Sequence, residues 1–389
     1  MAGPGCSQAD DFVSQDMTTF ADIPLPEVPA LASAGPFAGA WAGYWGGVIP
    51  HVLLAGEGRP CVYAVGAVPP WDIPAGWKHR DATITGGRLV LAGAGMTVEY
   101  WPDGPDMLAG RYRADLGGDT WGRFIRVTPE LLHSAAPLPH PVWGEAVRIP
   151  HDVGTLAGLW HARPVAPASP LAVLSHGSSD GVDPRTPVTM EGEARWLQDQ
   201  GYAVLVPMRR GRGASDGTYG ETNCCDLATR APLDCSAGLA EAVEDLRAAI
   251  DFGLRQPGVR PGPVLLAGQS RGGFLSIVYA GLHPAEVAGV ISFVGGWTAD
   301  WCNGAFNTRR LAEAGAGAEA AQLWLHGDND GYYRADHIRE NHAAFMAAGG
   351  RAALHMLTGV PYDGHRLAAY PDRWTCFAAE YLNSLPTQP

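Results

Sequence analysis

The sequence predicts a two-part protein, a small antiparallel β domain followed by an α/β domain built on a mostly parallel sheet. Three observations predict it. Short strand-like runs broken by turn residues fill residues 37 to about 129. Beyond a proline-rich stretch at 135–141, apolar strands alternate with amphipathic helices, a grammar that requires crossover helices covering a parallel sheet. Within that second part, the apolar run 263–267 passes through Gly268-Gln269-Ser270-Arg271-Gly272-Gly273 directly into the apolar run 274–280. A strand, a sharp G-x-S-x-G turn and a helix in that order hold a serine hydroxyl clear of the sheet.

Composition bounds the function class. The 389 residues are 46% hydrophobic and 17% charged, enough apolar material for two cores and too much for a disordered chain. The formal net charge of -13 argues against nucleic acid or an anionic membrane surface as a partner, since both select a basic face. No apolar run reaches the roughly 18 to 20 residues of a membrane-spanning helix. The first eleven residues have neither a basic n-region nor an apolar h-region, so the default expectation is a soluble cytoplasmic protein, exported if a signal peptide has been removed. Seven scattered cysteines (Cys6, Cys61, Cys224, Cys225, Cys235, Cys302, Cys376) lack the spacing of a zinc site. They read as buried free thiols, with a disulfide involving the Cys224-Cys225 loop as the alternative in an oxidising compartment.

In chain order, residues 1–36 carry Pro24, Pro26, Pro29 and Pro36 and read as an irregular lead-in. Residues 37–135 form the small β domain, a barrel or sandwich and a candidate lid or substrate domain. Its clearest hairpins are 83–85 with 88–91 across Gly86-Gly87, and 97–101 with 107–112 across Pro102-Asp103-Gly104-Pro105-Asp106. Seven tryptophans (Trp41, Trp45, Trp71, Trp77, Trp101, Trp121, Trp143) fall in this first part and are expected to fill its core or plug an interface, the alternative being an apolar-ligand site. Residues 142–389 form the α/β domain. An antiparallel pair at 146–149 and 155–160 comes first, then strands at 171–175, 202–206, 263–267, 287–294, 322–326 and 352–356. Helices are expected at 189–200, 237–254, 337–348 and 374–382. The 237–254 helix presents Leu239, Ala242, Val243, Leu246 and Ile250 on one face, with Glu241, Glu244, Asp245 and Arg247 elsewhere.

The chemistry follows from what a serine needs. Its hydroxyl is a poor nucleophile until a base lies within hydrogen-bond reach and an acid orients that base. In a strand–turn–helix site of this kind the chain order is serine, acid, histidine. Two loops after Ser270 leave strand ends on the required side, Gly327-Asp328-Asn329-Asp330-Gly331 and Gly359-Val360-Pro361-Tyr362-Asp363-Gly364-His365. Asp330 is assigned as the orienting carboxylate, with Asp328 as its alternative, and His365 as the general base in preference to His342 and His355, which fall inside a helix and a strand. The oxyanion requires at least two preorganised donors. The amide of Arg271, at the start of the following helix, is one; the amide of Ser178, in Leu174-Ser175-His176-Gly177-Ser178-Ser179, is the other, and His176 is read as a brace for that loop. Ser179, Trp297, Trp301 and Tyr332 are candidate pocket residues, and Asn307 is a further candidate lining residue. No metal or organic cofactor is expected.

Taken together, His176-Gly177, Arg210-Gly211-Arg212-Gly213-Ala214-Ser215-Asp216-Gly217, Gly268 to Gly273, Gly327 to Asp330 and Gly364-His365 resemble the α/β-hydrolase superfamily, in particular its dienelactone-hydrolase and prolyl-oligopeptidase-like branch. The resemblance covers about residues 145 to 385. It implies the α/β-hydrolase fold, with nucleophile, acid and base at Ser270, Asp330 and His365, a scaffolding role for Arg210 and Arg212, and a disulfide from Cys225 to Cys302. The N-terminal domain is somewhat similar to lipocalin-like barrels. Dienelactone hydrolases proper use a cysteine nucleophile, so Ser270 departs from them, and the short segment 295–321 leaves no room for a large helical cap. The resulting expectation is a serine esterase acting on a small to medium, aromatic or apolar substrate through an acyl-enzyme, with a small-molecule ester as its partner, no nucleic acid, no membrane span and an oligomeric state that the sequence leaves open. A peptidase of the prolyl-oligopeptidase type is the alternative, then an acyltransferase or an inactive binding module.

Overall fold

The computed structural model describes residues 35–45, 49–55, 61–64, 76–79, 82–93, 95–114, 119–128, 131, 141, 143–162, 168–178, 184–185, 187–360 and 363–386. The chain divides into two compact units, Met1–Trp143 and Gly144–Pro389. Most of the lead-in, the proline-rich stretch up to residue 140, Ser179, Trp71 and Cys6, together with the side chains of Trp77 and Cys61, lie outside the described residues.

The first unit is one curled antiparallel sheet of nine strands: β1 (Gly39–Trp45), β2 (Ile49–Ala55), β3 (Cys61–Ala64), β4 (Gly76–His79), β5 (Ala82–Thr85), β6 (Arg88–Gly93), β7 (Met96–Pro102), β8 (Met107–Ala114) and β9 (Asp119–Val127). Their order is β4-β3-β2-β1-β9-β8-β7-β6-β5. The first and last strands therefore pair, Ala40 with Val127 through Trp45 with Gly122, as in an up-and-down barrel. The two ends of the sheet are the consecutive strands β4 and β5. Both expected hairpins form, and Gly86 and Gly87 take φ of 58° and 75° at the tight turn between β5 and β6, the mirror-image turn whose twist suits a two-residue hairpin.

Phe37, Trp41, Trp45, Leu53, Leu89, Leu91, Val98, Tyr100, Leu108 and Phe124 fill the inside of this sheet, as alternation along each strand requires. Trp41 and Trp45 are thus core residues. Trp101 and Trp121 meet edge to face at 5.8 Å and carry the Arg88 and Arg111 guanidiniums over their rings. A polar pair sits in the apolar core: His51 is buried, with Nε2 2.8 Å from the Tyr100 hydroxyl.

The second unit holds an eight-stranded sheet in the order β10-β11-β13-β12-β14-β15-β16-β17. β10 (Glu145–His151) and β11 (Gly154–His161) are the expected antiparallel pair, and β11 runs antiparallel to β13 (Ala203–Pro207). From β13 onward all neighbours are parallel, through β12 (Leu171–Ser175), β14 (Val264–Gln269), β15 (Val287–Phe293), β16 (Gln322–Gly327) and β17 (Ala352–Leu357). β12 and β13 are buried at every position because helices cover both faces. These helices are α1 (Glu191–Asp199), α2 (Ser236–Leu254), α3 (Arg271–Leu282), α4 (Asp300–Gly317), α5 (Ala335–Ala347) and α6 (Pro371–Ser384). None of the described helices is long and apolar enough to cross a membrane.

One residue of α2 departs from the sequence expectation. Asp245, expected on the polar face, is 1% exposed, and its carboxylate accepts from the amide of Arg210 (2.8 Å) and from Arg210 Nε (2.9 Å). The Arg210–Gly217 loop packs there and turns a nominally polar position into a buried ion pair. Ser215 serves the same loop, accepting from the Ala157 amide and donating to the Met208 carbonyl.

Burial lowers the His51 pKa from 6.5 to about 3. The unfolded chain takes up a proton near pH 6.5 that the folded domain refuses, so this group destabilises the fold progressively as pH falls through that window, by about 1.4 kcal/mol for each pH unit. The His51 ring resonances should keep their neutral positions down to about pH 3 for as long as the domain stays folded. A midpoint near 6.5 in the folded state would refute the assignment.

Candidate active site

The Ser270 turn is built by close approach. At the carboxyl end of β14 the chain reverses into α3 with Ser270 at φ 54°, ψ −120°, a region that costs a non-glycine residue on the order of 1–3 kcal/mol. A Cβ on Gly272 would overlap the Ser175 carbonyl, and one on Gly268 would lie 2.7 Å from the same oxygen. Both glycines are therefore fixed by backbone packing against β12. The Ser270 amide donates to the Phe293 carbonyl (2.9 Å) and the Phe274 amide donates to the Ser270 carbonyl (3.0 Å), which pins the turn to β15 and to the first turn of α3.

Three parallel strand ends bring the sequence-expected residues together. His365 Nε2 lies 3.1 Å from Ser270 Oγ, while His365 Nδ1 lies 3.0 and 3.2 Å from the two Asp330 oxygens. The carboxylate at Nδ1 selects the tautomer that carries its proton there and leaves Nε2 free to accept from the serine. Asp330 is further held by the amides of Tyr332 (2.7 Å) and Tyr333 (3.1 Å), which donate to Oδ1. Asp328 is exposed, and its amide ties the loop to the Leu357 carbonyl. Asp363 steadies the base from the other side, accepting from the His365 and Gly331 amides, and Gln269 donates to the His365 carbonyl at 3.2 Å. His342 and His355 pack elsewhere, against Trp324 and Phe377.

The hydroxyl of Ser270 opens into a cleft lined by Ser178, Asn223, Arg271, Trp297, Trp301 and Tyr332, with Tyr333, His365 and residues 298, 299 and 302 completing the wall. Of the pocket candidates, Trp297, Trp301 and Tyr332 are in place, and Ser179 is outside the described residues. Asn307 does not line the cleft. It is fully buried beneath it, accepting from the Trp297 and Thr298 amides and donating to the Thr298 carbonyl, so it braces the wall from behind. Val294 enters that wall at φ 47°, a strained value for a β-branched residue.

Beneath the wall lies a charged layer that the sequence did not reveal. Glu221 is buried between Arg209, which donates from Nε and from NH2 (3.0 Å), and Arg271, whose NH1 lies 3.5 Å away. Burial alone would raise the Glu221 pKa, but the Arg209 charge and hydrogen bonds bring it down to about 2. The Arg271 guanidinium also donates to the carbonyls of Trp297 (2.9 Å) and Glu221 (2.8 Å), so its side chain ties the elbow helix to the cleft wall. His176 belongs to the same layer. The Arg209 amide donates to its Nε2, its Nδ1 lies 2.6 Å from the Gly177 carbonyl, and burial, then the neighbouring guanidiniums, hold it neutral.

Two disulfides close the rim. Cys224 pairs with Cys235 and Cys225 with Cys302, so these four cysteines are bridged and not the free thiols first expected; Cys376 is free. The Asn303 amide group donates to the Cys224 and Leu233 carbonyls and fixes the bridged loop to the start of α4. Among the described residues, no group of three or more His, Cys, Asp or Glu side chains could hold a metal ion.

Sheet order, elbow and strand-end loops define the class: Gly144–Pro389 has the α/β-hydrolase fold. A family profile described as serine aminopeptidase, S33, matches residues 188–297. No curated protein matches the sequence significantly. Solved structures similar to it include an esterase from Pyrococcus furiosus (16% identity, 62% of this chain and 90% of that one, TM-score 0.48). Others are a Butyrivibrio proteoclasticus protein with ferulic acid bound (14%, 61% and 100%, 0.46) and a candidate dienelactone hydrolase from Klebsiella pneumoniae (16%, 61% and 97%, 0.45).

The Glu221 ion pair gives the charged layer a measurable signature. Its carboxyl is depressed from 4.5 to about 2, so the stabilisation is complete above about pH 4.5 and is lost as pH falls towards 2. Glu221→Gln leaves Arg209 without its counter-ion and should cost about 3–5 kcal/mol at neutral pH. In urea titrations the gap between wild type and variant should narrow below pH 4.5; a gap independent of pH would contradict the pairing.

Proposed function

We propose that this protein is a serine hydrolase that cleaves carboxylic esters of small to medium, aromatic or apolar substrates through an acyl-enzyme. The observation that carries the reading is the continuous hydrogen-bonded line from Asp330 through His365 to Ser270, opening into a cleft with aromatic walls. Ser270 Oγ attacks the carbonyl carbon as its proton passes to His365 Nε2, and Asp330 holds the imidazolium that forms. The amides of Arg271 and Ser178 take the oxyanion. Collapse of the tetrahedral intermediate returns the proton to the leaving alcohol, and water then repeats the sequence on the acyl-enzyme. The two disulfides support a working place where disulfides persist.

A peptidase reading is favoured by one finding, the aminopeptidase description of the profile that matches residues 188–297. Against it, no Asp or Glu is among the described residues lining the cleft, so no carboxylate stands ready there for a substrate's α-ammonium group. The intact hydrogen-bonded line weighs against an inactive binding module. Wild-type protein is expected to be labelled by a fluorophosphonate and Ser270→Ala not at all, with ester turnover falling by at least about a thousandfold in Ser270→Ala and in His365→Ala. Persistent labelling of Ser270→Ala would overturn the assignment. Turnover of p-nitrophenyl esters should exceed that of aminoacyl and prolyl anilides; the reverse order would favour the peptidase.

A further inference from the structure

We infer that Arg230, stacked on Trp301 at the mouth of the cleft, is a specificity residue that takes a carboxylate carried by the substrate away from its ester bond. This rests on the serine-hydrolase reading above and narrows its substrate class to esters that bear an anionic group beside their aromatic or apolar part.

The position is built by the loop between β13 and α2. Cys224 and Cys235 close residues 224–235 into a ring, and Cys225 ties that ring to Cys302 in the cleft wall. Inside it the chain doubles back. The Leu233 amide donates to the Cys224 carbonyl (2.7 Å), the Asp226 amide to the Ala231 carbonyl (2.9 Å) and the Arg230 amide to the Asp226 carbonyl (2.8 Å). Arg230 turns the corner at φ 59°, where glycine or asparagine would sit with less strain, so the backbone of the turn does not account for an arginine there. Its side chain reaches Trp301: Cζ lies 4.0 Å from the centroid of the indole. Trp301 lines the cleft together with Ser270 and is 46% exposed, which puts the pair at the opening and not in the core.

The chemistry of the stack decides what it can bind. Attraction to a ring face uses none of the guanidinium N–H donors. Among the described residues Arg230 has no carboxylate partner, and its guanidinium makes no hydrogen bond. The two acids of its own loop are committed to their turns. Asp226 accepts from the Ala228 and Thr229 amides and the Thr229 hydroxyl, and Asp234 accepts from the Ser236 amide and hydroxyl. The mouth thus presents a cation fixed in advance, with a donor fork that matches a carboxylate, and among the described residues no Asp or Glu lines the cleft to repel one. A formal net charge of -13 gives anions no general attraction to this chain, so a preference for an anionic ester requires a local group of this kind.

The experiment compares matched esters: mono-p-nitrophenyl adipate with its methyl ester, and 4-acetoxybenzoate with its methyl ester, which place the carboxylate on the acyl side in one pair and on the alcohol side in the other. We expect wild-type kcat/KM to be higher for the anionic member of at least one pair, and that anionic-over-neutral ratio to fall by about tenfold in Arg230→Gln, mainly through KM. Arg230→Lys, which keeps the charge without the fork, should retain part of the ratio, and added salt should lower the wild-type ratio. Ratios in Arg230→Gln equal to those of wild type in both pairs would overturn the proposal and leave Arg230 a cover for the indole. Should Arg230→Gln fail to fold, the wild type decides by itself: a salt-sensitive preference for an anionic ester supports the proposal, and its absence overturns it. Fluorophosphonate labelling of the wild type separates the two readings. Labelling without any anionic preference overturns this proposal alone, whereas failure to label removes the serine-hydrolase reading itself.

Discussion

At Ser270 the backbone holds φ 54° because nothing more relaxed fits. β14 stops against β12 with the Ser175 carbonyl filling the space that side chains on Gly268 and Gly272 would need, and the Ser270 amide is committed to Phe293 in β15. The strain is local, on the order of a few kcal/mol, and is offset by the packing of two buried strands and the wholly buried first turns of α3. Every other feature of the site is set relative to this turn. His365 is carried to it by the end of β17 and held by Gln269, the elbow's own neighbour; Asp330 follows from β16; the wall that includes Trp297 follows from β15.

The guanidinium of Arg271 shows how the turn is joined to the rest of the domain. An arginine one residue after the serine lies where a substrate clamp is easily imagined, yet its guanidinium donates inward, to the Trp297 carbonyl and to Tyr219, Glu221 and Thr222. Its charge is met by Glu221, which is also held by Arg209. A single carboxylate thereby links the elbow helix, the loop after β13 and, through the Arg209 contacts with His176, the loop after β12 that carries Ser178. Removing one member of such a network leaves the others buried and unpaired, so the layer's value lies in fixing several loops in one arrangement.

How much of this was legible in the sequence depends on whether the signal was local. The elbow, the order of serine, acid and histidine, and the strand–helix alternation are written in short stretches whose composition answers to one physical need each, and Ser270, Asp330 and His365 come together as that order implies. Asp330 wins over Asp328 because the turn directs alternate residues to opposite sides, one toward His365 and one toward solvent. Asn307, Asp245 and Glu221 were not legible in their structural roles. Each is an ordinary polar residue whose role comes from a partner outside its own element, the 297–298 segment, Arg210 and Arg209 respectively, so that only the folded loops reveal it. The adjacent cysteines carried a usable signal. Two neighbours in a loop cannot both face one partner, and the structure resolves them into bridges to Cys235 and Cys302.

Charge is distributed unevenly about the cleft, and the proposed chemistry explains why that matters. Below it, Glu221 and Asp330 are each held by several donors and Arg271 is spent on carbonyls. At the surface that a substrate meets stand aromatic rings, hydroxyls, an asparagine and backbone amides, none of which binds a neutral ester strongly in its ground state. Donors fixed in advance by a rigid layer cost no reorganisation when charge appears. An ester becomes negatively charged only as Oγ adds to it, so the arrangement discriminates between transition state and substrate, which is the condition for rate acceleration as distinct from tight binding. The buried ion pairs take no direct part in that step; they hold the neutral donors still while it occurs.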